Sequence, residues 1–318
     1  MKAAARAHQI LDVDLSRQID PFAAIARAGV TLAVVPLRNL SGAYIPAMPE
    51  TDGRPGILIN SKHPRTRQRF TAAHELCHHL RDRDDPMLDG ETEVLPRSGM
   101  LSSPTETIAE AFAGWFLMPR RLVEKLWLEL ELPQTPGPED VYQLSLELGT
   151  SYLATVGHLH SLGKINRATW HQLAKLPPRW IKKQLGVHGP GDSWGDVWHV
   201  RDSSRDLRQI TPRPGDEIVI ELEELPSSGY MWSAPEGGGF EVAESTFEQA
   251  DAENLLDPVV GGRGHRRVVL RATQPGNYRL EMEMRRPWRP ADEPIRRFAL
   301  ELSVQRPPAG YAPLAIAV

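Results

Sequence analysis

The chain has 318 residues, of which 41% are hydrophobic and 25% charged, and a formal net charge of −4. That length suits two domains of ordinary globular composition, and the slight acidic excess excludes a basic nucleic-acid footprint. The lone cysteine, Cys77, excludes an internal disulfide and fits a reducing compartment, and no apolar run reaches the ~18 residues of a membrane span.

The stretch Met1–His8 lacks the apolar core of a secretory signal. A cytoplasmic protein is therefore expected, with no membrane contact and no direct nucleic-acid binding. A short helix is predicted over residues 20–29, opened by Asp20-Pro21 and stopped at Gly29. The β-branched runs 30–37 and 57–59 read as strands. Helices follow over 66–80 and 105–118, the second started by Ser102-Ser103-Pro104, and further helical stretches over 120–130 and 139–162. From Pro177 the pattern changes. Pro177-Pro178 and Gly189-Pro190-Gly191 read as a linker. Alternating runs at 217–222, 267–271, 278–284 and 297–302 then read as strands of an all-β sandwich or barrel.

The chemistry concentrates in His74-Glu75-Leu76-Cys77-His78, an H-E-x-x-H pattern. On a helix, residues i and i+4 lie one above the other, so both imidazoles can reach one zinc at ~2.0–2.1 Å. Glu75 stands one residue round, where its carboxylate can take a proton from zinc-bound water instead of binding metal. Zinc needs a third protein ligand and an open position. Glu106 and Glu110 share a helix face, so one can ligate while the other accepts the free N–H of a ligating histidine. Glu106 is read as the ligand and Glu110 as the orienter, although spacing alone also permits the reverse. His158, on a late helix, is taken as the donor that a tetrahedral oxyanion needs. Cys77 is expected to pack inward, and His63 and His79 to face solvent.

These motifs resemble the ImmA/IrrE family of metallopeptidases. The resemblance rests on Gly56-Ile57-Leu58-Ile59-Asn60, on the run from Arg67 through His78, on Ala109-Glu110-Ala111-Phe112-Ala113 ahead of Leu117-Met118-Pro119, and on 148–151 through 159–163. It spans roughly residues 18–165. It implies a zincin-like, mainly helical domain with zinc on His74, His78 and Glu106, and proteolysis of a regulatory protein such as a transcriptional repressor. The family usually has Asn or Asp where Glu110 stands, and Gly where Cys77 stands.

In the β region, three segments lie between strands: Leu225-Pro226-Ser227-Ser228-Gly229-Tyr230, Gly261-Gly262-Arg263-Gly264 and Arg286-Pro287-Trp288. Loops far apart in sequence can build one binding edge at the end of a sandwich, and Trp with Arg and Tyr is interface chemistry. In order and type they resemble the three loops of chagasin-like inhibitors of papain-type cysteine proteases, over about residues 205–306. Leu225 replaces that family's Asn, and Ser227 and Ser228 its threonines. The resemblance implies an immunoglobulin-like β-sandwich with a papain-like cysteine protease as partner.

The expected class is thus α+β: a metallopeptidase domain over 1–176, a linker over 177–204, the β-sandwich over 205–306 and a tail over 307–318. Two functions are consistent with it. One is a zinc endopeptidase whose β domain holds a protein. The other is a non-catalytic zinc-containing regulator that acts through cysteine protease inhibition or partner binding.

Overall fold

A computed structural model describes residues 1–51, 53–84, 104–185, 195–201, 208–249, 264–289 and 291–305. The chain divides into two compact units, one ending at Leu176 and the other beginning at Pro177.

The first unit opens with α1 (Lys2–Ile10) and α2 (Pro21–Arg27). The Asp20 carboxylate caps α2 by accepting from the Phe22 and Ala23 amides at 2.9 and 3.3 Å, and Pro21 sits at the first helical position, where no N–H is needed. Strands β1 (Thr31–Val35), β2 (Gly42–Ile45) and β3 (Gly56–Asn60) form a sheet in the order β1-β3-β2, with β1 parallel and β2 antiparallel to β3. Then come α3 (Arg65–Asp84), α4 (Pro104–Leu117), α5 (Arg120–Glu129), α6 (Pro138–Leu148), α7 (Tyr152–Ser161) and α8 (Arg167–Ala174). Small buried residues, Ala72, Ala73 and Cys77 on α3 and Ala109 and Ala113 on α4, line these two neighbouring helices. Cys77 is inside, as expected of a small hydrophobe.

The stretch 139–162, expected to be helical throughout, is two helices. Gly149 ends α6 in the left-handed region at φ +64°, and Ser151 starts α7 by accepting from the Ala154 amide at 3.3 Å. This turn is tied to the start of α3. Arg69 donates from Nε to the Gly149 carbonyl at 2.9 Å and from Nη2 to the Ile19 carbonyl, while Gln18 Nε2 donates to the carbonyls of Leu146 and Glu147.

The second unit opens with α9 (Pro178–Gln184) and contains β4 (Val197–Arg201), β5 (Arg208–Ile210), β6 (Glu217–Glu224), β7 (Met231–Trp232), β8 (Phe240–Gln249), β9 (Gly264–Ala272), β10 (Gly276–Arg285) and β11 (Arg296–Val304). The sheets run β5-β11-β10-β7 and β4-β6-β9-β8. Their inner faces supply Leu280, Met282, Leu300 and Leu302 from one sheet and Ile218, Ile220, Val268 and Leu270 from the other, all buried, as alternation in a sandwich requires.

The linker expectation needs correction, because α9 and β4 fall inside 177–204. Pro178 begins a helix as its N1 residue, so Pro177-Pro178 is a start and not only a break. Ile181 and Leu185 are buried, and Arg267 on β9 donates to the Leu185 carbonyl at 2.8 Å, fastening α9 to the sheet. β4 pairs in parallel with β6 from Val197 to Arg201. No helix among the described residues is long and apolar enough to cross a membrane.

Candidate metal centre and loop edge

The motif lies within α3, and α4 brings Glu106 to it. The facing atoms are a close cluster of two imidazole nitrogens and two carboxylate oxygens. His74 Nε2 and His78 Nε2 are 3.1 Å apart, and the Glu106 carboxylate presents Oε2 to the first at 3.2 Å and Oε1 to the second at 3.3 Å. A tetrahedral ion with ~2.0–2.1 Å bonds has ligand–ligand edges of roughly 3.3 Å. The donor set also fits a cation on electronic grounds. At most one proton can lie between two imidazole nitrogens at that separation, whereas a cation satisfies both nitrogens and the carboxylate together. Among the described residues, this is the group of His, Cys, Asp and Glu side chains close enough to share an ion. Glu75 follows His74 on the same helix and is buried.

Two other expected members are elsewhere. Glu110 is exposed on α4 and makes no hydrogen bond or ion pair among the described residues, so it does not orient either imidazole here. His158 is buried with Nε2 2.8 Å from the Met118 carbonyl and its ring edge-on to Trp115 at 4.8 Å. A carbonyl only accepts, so Nε2 carries the proton and spends it there, and the neutral ring has no second N–H for an oxyanion. His160, its neighbour in the motif, stacks on Trp170 at 5.0 Å. His79, expected in solvent, is buried with Nδ1 3.2 Å from the Tyr44 hydroxyl. Tyr44 is on β2, a four-residue strand of uniformly half-buried residues that leaves no alternation to read in the sequence.

His8 repeats the His158 arrangement from α1, with Nε2 2.9 Å from the Phe116 carbonyl. Burial lowers the pKa of both histidines below the ordinary 6.5, outweighing the carbonyl bonds that act to raise it. Their neutral forms therefore stabilise the fold above pH 6.5, and that stability is lost as pH falls through the lowered values. With a chelator present, the melting temperature of the first unit should drop more steeply between about pH 7 and 5 in wild type than in His8→Gln/His158→Gln. Parallel profiles would show that these two groups do not set the acid response.

At one end of the second unit, the first and third expected loops meet. Ser227 and Ser228 lie in an exposed 3-10 turn, Pro226–Ser228, where Ser228 Oγ donates to the Leu225 carbonyl at 2.6 Å. Gly229 follows at φ +77°, and a Cβ there would come within 2.7 Å of Trp288 Cη2, so the indole lies directly on the glycine. Trp288 is 65% exposed, and Pro287 beside it is exposed too. The Arg286 guanidinium stands 4.6 Å over the Tyr230 ring. Gly264 begins β9 opposite Glu224, the last residue of β6, which puts the exit of its loop at the same end. Gly261 lies outside the described residues.

Comparison with known proteins divides the chain the same way. Residues 26–155 match the family described as the IrrE N-terminal-like domain, and residues 211–302 the chagasin family of peptidase inhibitors, I42. A curated relative, the radiation response metalloprotease IrrE of Deinococcus deserti, is 36% identical over 98 residues, 31% of this chain. The match spans about a third of that relative's length, 32%. Among solved structures, the cysteine protease inhibitor EhICP2 from Entamoeba histolytica is 20% identical over 35% of this chain and 96% of its own, with a TM-score of 0.30. Amebosin is 25% identical over 35% of this chain and 100% of its own, also with a TM-score of 0.30. PbICP-C, solved in complex with falcipain-2, is 19% identical over 35% of this chain and 100% of its own, with a TM-score of 0.25. The chain thus joins an IrrE N-terminal-like segment, of a peptidase family that implies a metal, to a segment matching the chagasin family of peptidase inhibitors.

Proposed function

We propose that the first unit is a zinc-dependent endopeptidase acting on a regulatory protein, such as a transcriptional repressor, in the cytoplasm. The observation that carries this reading is the convergence of His74, His78 and Glu106, with Glu75 next in sequence to a ligand. His74, His78 and Glu106 would hold the ion. When bound, zinc supplies Lewis acidity that polarises a peptide carbonyl and lets water attack near neutral pH. Glu75 takes the proton from the attacking water and passes it to the departing amine. The relative's name, a radiation response metalloprotease, supports metal-dependent proteolysis, and the regulatory substrate is what the sequence resemblance implies.

The test is metal content by elemental analysis. Wild type should hold about one zinc per chain, and Glu106→Ala should weaken binding by at least ~10-fold, because three protein ligands become two. A folded, metal-replete wild type without zinc would refute the reading.

The loop edge favours a second activity alongside the first, binding of a papain-type cysteine protease. Its support is the family match over 211–302 and the exposed Trp288 seated against the first loop. The full chain should inhibit papain, and Trp288→Ala should weaken inhibition by at least about 30-fold, the cost of losing a central aromatic anchor. Equal inhibition by wild type and variant would exclude this edge as the contact.

A further inference from the structure

The loop edge hangs from one buried carboxylate. Glu224 ends β6, and its side chain has no exposure to solvent. One oxygen accepts from the Trp232 backbone N–H at 2.9 Å and from Arg266 Nε at 3.2 Å, and the other accepts from Arg266 Nη2 at 2.6 Å. The bond to Trp232 crosses between the sheets, because β6 belongs to one and β7 to the other.

The sequence positions of these partners explain what the bonds achieve. Glu224 immediately precedes the loop 225–230 and Trp232 closely follows it, so one carboxylate pins both ends of that loop. Arg266 lies two residues after Gly264, at the exit of the second loop. The third loop is drawn in through Arg296, which begins β11. Its guanidinium lies 5.7 Å from the Trp232 ring centroid and 3.9 Å from the Glu223 carboxylate, while Trp232 Nε1 donates to the Glu223 carbonyl at 3.0 Å. Side chains at the exits of all three loops therefore meet at the Glu223-Glu224 strand end.

We infer that Glu224, with Arg266, is the positioning residue of this edge: it fixes the first loop so that Gly229 lies under Trp288. The inference rests on reading the edge as a protein-binding surface. A buried ion pair contributes little net stability against an apolar pair of similar volume, yet breaking one partner leaves the other charge stranded. An apolar replacement of both residues therefore separates positioning from folding. It removes the acceptor of the Trp232 amide without stranding a charge.

The experiment uses the glycine-labelled full chain and variants Glu224→Gln and Glu224→Met/Arg266→Met. The indole over Gly229 gives its α-protons a ring-current shift, with Trp288→Ala as the zero reference. The expected result is that the double variant melts cooperatively near wild type but loses most of that shift, and papain leaves it at least ten times faster. An unchanged Gly229 shift in either folded variant overturns the inference. If wild type does not bind papain, the protease reading fails, and the Gly229 shift still decides the positioning role. If neither variant folds, hydrogen exchange in wild type decides. A Trp232 amide as protected as the core of β6 upholds the staple, and one exchanging like the exposed loop overturns it.

Discussion

Glu75→Gln is expected to lower peptide cleavage by about 10²–10⁴-fold, the usual worth of a general base, with zinc content unchanged. Gln keeps the size and hydrogen-bonding shape of the side chain but cannot take a proton from water at neutral pH. The position is buried, so exchanging a carboxylate for a neutral amide brings no desolvation penalty. The residue next to a ligand on α3 thereby loses its charge and its ability to take a proton while keeping its size. Initial rates on a pool of quenched fluorescent peptides, with matched metal loading, give the measurement. A metal-replete variant that cleaves at the wild-type rate would remove Glu75 from the chemistry. A metal-replete wild type without cleavage would instead favour the non-catalytic reading, a zinc-containing regulator that acts through cysteine protease inhibition or partner binding.

The candidate metal cluster is readable in the sequence to the extent that its geometry is local. His74 and His78 are related by helical spacing alone, which puts both imidazoles on one face where they can share an ion. Glu106 is a different case. Spacing nominated Glu106 and Glu110 together, and only the placement of α4 against α3 separates them, with Glu106 3.2 Å from His74 and Glu110 exposed. His158 was misread because its partner, the Met118 carbonyl, is 40 residues away and belongs to the backbone, which sequence patterns do not mark. His79 was misread for a related reason, since its cover is Tyr44 on the short β2.

In the second unit, the long strands β10 and β11 announced themselves by alternation, and β6 and β9 by the apolar runs Ile218–Ile220 and Val268–Leu270, which are buried throughout. β8 did not. Six of its ten residues are exposed in a pattern without a buried stripe, as suits an edge strand. The loops were legible as motifs, but Glu224 was hidden at the end of a strand pattern whose other inward residues are apolar. A glutamate at an inward position, two residues after Leu222, was the available signal.

Gly149→Ala should destabilise the first unit by about 3–5 kcal/mol, from two additive causes. The first is backbone conformation. At φ +64° an alanine pays about 1–2 kcal/mol that glycine does not. The second is crowding. A Cβ at this position would come within 2.7 Å of Gln18 Cδ and Nε2 and 2.9 Å of Arg69 Nε. Those two side chains hold the end of α6, so moving them breaks hydrogen bonds to Leu146, Glu147 and Gly149 and leaves a buried guanidinium under-satisfied. Each bond is worth roughly 0.5–1.5 kcal/mol, more when charged. For a unit of this size the melting temperature should fall by about 10 °C. Gly149→Asn separates the causes, because Asn tolerates the left-handed region yet carries the same Cβ. If crowding dominates, Asn and Ala are equally damaging; if conformation dominates, Asn recovers most of the loss. Arg69 precedes His74 by five residues on α3, so the damage should also reach zinc affinity. A variant melting within about 2 °C of wild type would show that the turn at Gly149 does not anchor the metal-bearing helix.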